Sequence, residues 1–276
     1  MPKPNTRLSA AGFSWLRVAL FFISYLLVLT TVGKLTGSTF QMVSIFCAAS
    51  FLLVWLFRTY LDKRSFESLG WKWRGNGIHC ATGLLLAIAL LGTGSLLLVA
   101  LGQLSWLNPQ FNAADFFPAF LMMLLVGFYE ELVFRGYILG NLLQAMHPAT
   151  ALLVSAAIFA ILHGANPHTN WLALVNVFLA GLLLGINYIF TRNLWFGIAL
   201  HVGWNFIQGP VLGFEVSGME LPSVLVQNLG NNALLTGGSF GFEGSLLNTI
   251  LCLITTSSLA FLYYRQNNKN ETLPFS

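Results

Sequence analysis

Charge is what this sequence has least of. Of its 276 residues only 8% are Asp, Glu, Lys or Arg, where a soluble domain carries about a quarter. Hydrophobic residues make up 56%, so water is not the main solvent of the folded chain. Cysteine is also scarce. Cys47, Cys80 and Cys252 fall in or beside apolar runs without C-x-x-C or zinc-ribbon spacing, and read as small buried hydrophobes. The net charge of +4 does not indicate nucleic acid, because a basic total in an apolar chain reflects loop charges on one side of a membrane.

What is abundant is apolar sequence in runs of about 17 to 25 residues, the length that crosses a hydrocarbon core. Eight candidate helices lie near 14–33, 39–57, 79–101, 115–140, 148–163, 171–190, 194–209 and 244–264. They fill residues 1–276 as a single membrane domain, an all-α polytopic bundle. The first run, about Trp15 to Val32, has Lys3 and Arg7 before it and no small-residue cleavage site, so it reads as a retained span. Between the second and third runs, Tyr60 to Asn76 mixes basic residues with Trp71 and Trp73, as suits a loop or short helix at the headgroups.

An even number of spans puts both termini on one side. Lys3, Arg7, Arg17, Arg58, Lys63, Arg64, Lys72, Arg74, Arg135, Arg192, Arg265 and Lys269 then share that side, and Lys34 alone falls on the other. The positive-inside rule makes both termini cytoplasmic, in a multi-pass protein of the cell (inner) membrane. Pro210 to Glu243, with no Lys or Arg, reads as a translocated loop. The glycines between Leu235 and Ser245 are expected to make turns, since no Lys follows to complete a phosphate cradle.

Ionisable side chains inside the membrane are costly and mark function by default. Glu130, Glu131 and Arg135 lie in the fourth run, Phe159 and His163 end the fifth, and His201 and Asn205 lie in the seventh. Glu131 and Arg135, four apart with the acid first, are spaced to pair on one helix face. Glu130 is rotated by about 100° from its neighbour, has no base at i+3 or i+4, and is the better candidate for a general base. His201 and Asn205, also four apart, point one way and suit an oxyanion hole. His163 follows Phe159 by one turn, where the ring can hold the imidazole and keep the site dry. His163 can share a water with Glu130. His79, His147 and His168 read as surface residues. Glu130 and His163 are equidistant from the turn between their helices, which places the site in the cytoplasmic half if that turn protrudes, as polar Asn141, Gln144 and His147 permit.

These residues form E-E-x-x-x-R at 130–135, F-x-x-x-H at 159–163 and H-x-x-x-N at 201–205. The ordered set resembles the signature motifs of the CAAX-protease and bacteriocin-processing (CPBP, Abi) family, with residues 115–209 as the catalytic core. The resemblance implies an intramembrane glutamic endopeptidase acting on a membrane-associated or secreted peptide or protein. In it Glu130 and His163 activate water, Glu131 with Arg135 supports that carboxylate, and His201 with Asn205 stabilises the oxyanion. No cofactor is favoured; a zinc on Glu130, His163 and His201 is the alternative, without an H-E-x-x-H motif. The expected partners are the peptide substrate and the lipid bilayer, not nucleic acid. A non-proteolytic scaffold, in bacteriocin immunity or sensor-kinase regulation, is the competing reading. A transporter is disfavoured, since no internal repeat or broken-helix pair is evident.

Overall fold

The computed structural model describes residues 13–35, 37–107 and 109–271. Lys3 and Arg7 lie outside the described residues, as does the side chain of Lys269. The chain is a helical bundle with almost no sheet. Its principal helices are α1 (Ser14–Leu35), α2 (Thr39–Leu56), α3 (Gly77–Ala100), α4 (Ala113–Glu130), α5 (Pro148–His163), α6 (Trp171–Thr191), α7 (Trp195–Phe206) and α8 (Leu246–Glu271). Each corresponds to an expected run.

Six helical stretches among the described residues are long and apolar enough to cross a membrane: Ser14–Lys34, Thr39–Leu61, Gly77–Ala100, Ala113–Ala145, Trp171–Thr191 and Leu246–Gln266. The chain is therefore a multi-pass membrane protein. The other two principal helices are shorter: α5 has 16 residues and α7 has 12. Large apolar side chains stand outward on the outer helices, among them Ile23 and Leu27 on α1, Leu85 and Leu96 on α3, and Ile254 and Phe261 on α8. Such a surface suits lipid and would be a liability in water.

Local sequence sets the helix starts. Ser38, Asn112 and Asn170 accept from backbone N–H groups of the first turns of α2, α4 and α6, and Pro148 opens α5 where its missing N–H costs nothing. Tyr60 to Asn76 contains a short 3-10 helix, Phe66–Leu69, rather than a further span.

The centre of the bundle is the continuation of α4. From Glu131 to Leu139 the helix is wound as a π-helix and every residue is buried. A helix enclosed on all sides is normally apolar all round; this one carries Glu131 and Arg135. Phe21 and Tyr25 of α1 stack on or edge against Tyr137 and Phe134, and Phe46 of α2 meets Tyr129 edge-on.

Two further features position the site. Residues 212–245 fold back over one end of the bundle. They are tied there by β1 (Leu104–Trp106), antiparallel to β2 (Gln227–Leu229), and by the Trp106 indole N–H donating to Leu212 O at 3.0 Å. At the other end, Asp62 accepts from Arg58 at 3.0 Å, Arg17 at 3.5 Å and Asn141 at 3.2 Å. Arg58 and Asn141 are buried there. Arg58 is thus a structural ion rather than a loop charge facing water, and Asn141 is not the water-facing hairpin residue that the depth estimate relied on. Arg135, counted with the cytoplasmic loop charges, is likewise interior, only 2% exposed.

Candidate active site

The structure brings the ionisable groups of the three motifs together. Arg135 Nη1 donates to Glu131 Oε1 at 2.8 Å, as the four-residue spacing expects, and its other Nη donates to Gly181 O on α6 at 3.3 Å. The guanidinium lies over the Phe159 ring, 4.4 Å from its centroid. His163 also meets that ring, with centroids 4.3 Å apart. Phe159 therefore touches both the guanidinium and the imidazole.

Glu131 does more than pair with arginine. The same Oε1 atom contacts His201 Nδ1 at 2.9 Å, so the carboxylate is shared between Arg135 and an imidazole on α7. The carboxylate can only accept, so Nδ1 of His201 carries a proton and Nε2 faces the other way. There it meets Glu130, with Nε2 and Oε2 3.8 Å apart. Adjacent glutamates thus face opposite nitrogens of one ring. Consecutive residues are about 100° apart on an ordinary α-helix, so spacing alone does not lead one to expect this; a π segment begins at Glu131, and π segments recur at functional sites.

His163 completes the group. Its Nδ1 lies 2.8 Å from Phe159 O, and a carbonyl only accepts, so the proton is on Nδ1 and Nε2 presents a lone pair. That Nε2 is 3.9 Å from Glu130 Oε2. The phenylalanine holds the imidazole through its backbone oxygen as well as its ring. Glu130 Oε1 accepts from Tyr129 at 3.3 Å, whereas its buried Oε2 makes no hydrogen bond to the protein. Separations of 3.8 and 3.9 Å are too long for direct hydrogen bonds and short enough for a water lying to one side to bridge the carboxylate and an imidazole.

Beside this group is a cavity of about 50 Å³, lined by His163, His201 and Asn205 among others. By the roughly 10 to 15 Å³ that each water needs, it admits a few water molecules and no peptide without widening. Its lining also includes Asn176, Ser217 and Glu243, none of them expected at the site. Asn176 and Glu243 had sequence signals that could have found them, an amide inside an apolar helix and an acid just before an apolar run; Ser217 had none. Ser217 and Glu243 belong to the 212–245 segment, at the end of the bundle opposite the α4–α5 turn. The cavity therefore reaches towards the end away from Asn141.

His147 and His168 are exposed as expected, and His147 also caps α5. Between Leu235 and Ser245 the expected turns are present, with positive φ at Gly237, Gly238 and Gly241. For the zinc alternative, no three His, Cys, Asp or Glu side chains among the described residues are grouped so as to hold a metal ion.

A comparison with protein families supplies the class. Residues 112–207 match the family model described as type II CAAX prenyl endopeptidase, Rce1-like. The match takes in all three motifs and about a third of the chain, and it bears out the resemblance to the CAAX-protease family. Over that segment the chain is similar to CAAX-type intramembrane proteases. A comparison with curated proteins finds no match.

Proposed function

We propose that the protein is an intramembrane endopeptidase that hydrolyses a peptide bond of a membrane-associated or secreted substrate, using water activated by Glu130 and His163. The observation that carries this reading is the convergence of His163 Nε2 and His201 Nε2 on the one Glu130 oxygen that lacks a protein partner. A water bridging these atoms from the side donates one proton to Glu130 Oε2 and the other to the His163 Nε2 lone pair, leaving an oxygen lone pair free to attack a carbonyl. Glu130 takes the proton as the bond to carbon forms and passes it to the leaving amine. Asn205 donates to the developing oxyanion. His201, whose Nδ1 proton is engaged by Glu131, joins it through Nε2 in its imidazolium form, which the Glu131 carboxylate stabilises. Arg135 holds Glu131 in place and is a positioning residue.

In the orientation that the basic residues favour, both termini are cytoplasmic in the cell membrane and the 212–245 segment lies outside. The test compares membrane and secreted proteomes of the native host carrying the wild-type protein or Glu130→Ala, with folding checked by size-exclusion chromatography. The expected result is accumulation of an uncleaved substrate in the variant, and cleavage by the purified wild type that persists in EDTA. Unchanged proteomes with full biological function in Glu130→Ala would point to a scaffold instead.

A further inference from the structure

The mechanism leaves one acid in the cavity unused. Glu243 lines the same cavity as His163, His201 and Asn205, and its carboxylate is fixed by three donors. The Trp204 indole N–H donates to Oε1 at 3.2 Å. The Ser217 backbone N–H and hydroxyl donate to Oε2 at 3.1 and 2.7 Å. Trp204 comes from the same helix as His201 and stands between the two motif residues of that helix.

The backbone of Glu243 is held as firmly. Asn176 of α6 and Asn248 of α8 donate to its carbonyl at 2.7 and 3.2 Å. The chain arrives through Gly241 at φ 94°, where a side chain would be strained and would run into Glu215 O. Donors from α6, α7, α8 and the 212–245 segment thus converge to aim one carboxylate into the catalytic cavity.

What the carboxylate lacks is a cation. Among the described residues no Lys or Arg forms an ion pair with Glu243; the ion pairs of the molecule involve Asp62, Glu67, Glu130 and Glu131. None is nearby in sequence either, since residues 75–134 and 210–243 contain neither Lys nor Arg. The groove on this end of the molecule adds Asp115, Glu215 and Glu220. Burial pushes the Glu243 carboxyl above the ordinary carboxylate range, against the pull of Ser217 and the two histidines. A positive group brought beside it would favour the ionised form. A carboxylate has about four acceptor positions, so three protein donors leave it room for another.

We infer that Glu243 is a specificity-determining residue that receives a positively charged group of the substrate, a Lys or Arg side chain or a free amine, close to the bond that is cut. The inference rests on the endopeptidase reading for its substrate. The same carboxylate would repel a substrate whose own free C-terminal carboxylate had to lie in this cavity. The acidic groove outside gives a cationic segment a favourable approach.

The test uses the full-length protein in lipid nanodiscs. The probes are synthetic apolar peptides identical except for one residue, Lys, Ala or Glu, scanned along the chain. Binding is measured in a Glu130→Gln background, where no turnover is needed, and cleavage is measured in parallel with Glu130 intact. With Glu243 present, the best Lys peptide should bind about ten-fold more tightly than its Ala counterpart, with Glu weakest, a range typical of one charge contact in a partly desolvated site. Glu243→Gln should collapse that preference, and Glu243→Lys should reverse it towards the Glu peptide. A residue that merely tied Trp204 and Ser217 together would leave charge preference unmoved. Equal binding of the Lys and Ala peptides by the Glu243 protein, binding of none of them, or a Lys preference that survives Glu243→Gln overturns the inference. The first comparison needs no substitution at 243 and stands even if those variants fold poorly. Charge-selective binding without cleavage would count against the endopeptidase reading alone, whereas cleavage without charge preference would count against Glu243 alone.

Discussion

Replacing Arg135 by Met separates the electrostatic role of the arginine from its bulk. Glu131 is fully buried and Arg135 is 2% exposed, with 2.8 Å between them. Deleting one partner of a buried pair strands the other charge and costs about 3 to 5 kcal/mol. Two structural details move the expectation within that range. His201 still contacts Glu131 and softens the loss. Against this, the bond to Gly181 O and the contact with Phe159 also disappear, the latter worth roughly 0.5 to 2 kcal/mol. The expected destabilisation is therefore about 3 to 4 kcal/mol. Denaturant unfolding of the purified protein in detergent measures it, with Lys72→Ala as a control. Lys72 is 3.9 Å from Glu67, with both side chains at least 70% exposed, and such a pair contributes at most about 1 kcal/mol. Adding Glu131→Gln to Arg135→Met should recover much of the loss, because no charge is then stranded. An Arg135→Met variant as stable as the Lys72→Ala control would refute the assignment of Glu131 and Arg135 as a buried, mutually dependent pair.

Two further perturbations follow from close contacts. A Cβ at Gly197 would lie 2.7 Å from Glu131 Oε2, well inside the ~3.5 Å of ordinary contact, so Gly197→Ala must push the carboxylate that holds His201. Turnover of the substrate found by proteomics should fall about 10- to 100-fold. The overpacking cost of ~1 to 3 kcal/mol is partly offset by the ~1 kcal/mol that alanine adds to a helix; wild-type turnover would contradict the contact. Asp62→Asn removes the anion beside the buried Arg58 and should cost about 3 kcal/mol in the same unfolding assay. It should leave turnover per folded molecule unchanged, because Asp62 contacts Arg17, Arg58 and Asn141 rather than the site.

The sequence is most readable where one helix contains the whole interaction. Arg135 reaches Glu131 because residues four apart share a face, and the apolar runs locate the helices because lipid demands them. It is least readable where phase or tertiary contact decides. The π winding after Glu130 has no periodic signature in an apolar run, so the approach of both glutamates to His201 was not visible. Glu243 had only a weak signal, as an acid just before an apolar run. In a segment without basic residues an acid looks like ordinary outer-loop polarity, and only the fold brings Asn176, Trp204 and Ser217 around it. The partner of Arg58 was not legible, since a basic residue at the end of an apolar run gives no sign of a buried bond to Asp62.

Under the proposed mechanism two adjacent acids serve better than one. A single carboxylate cannot both clamp the Nδ1 side of His201 and remain open to a water on its Nε2 side. Dividing the tasks requires neighbouring residues at slightly different heights on one helix, which Glu130 and Glu131 provide. The clamping acid must be neutralised, or it would compete for the proton that the other is meant to carry, and Arg135 does this from the next turn. The guanidinium in turn lies on Phe159, whose carbonyl fixes the tautomer of His163. Glu130 Oε2 is then the one carboxylate oxygen facing both imidazoles without a protein donor, and in the proposed mechanism its unsatisfied hydrogen-bonding capacity is directed at the reacting water.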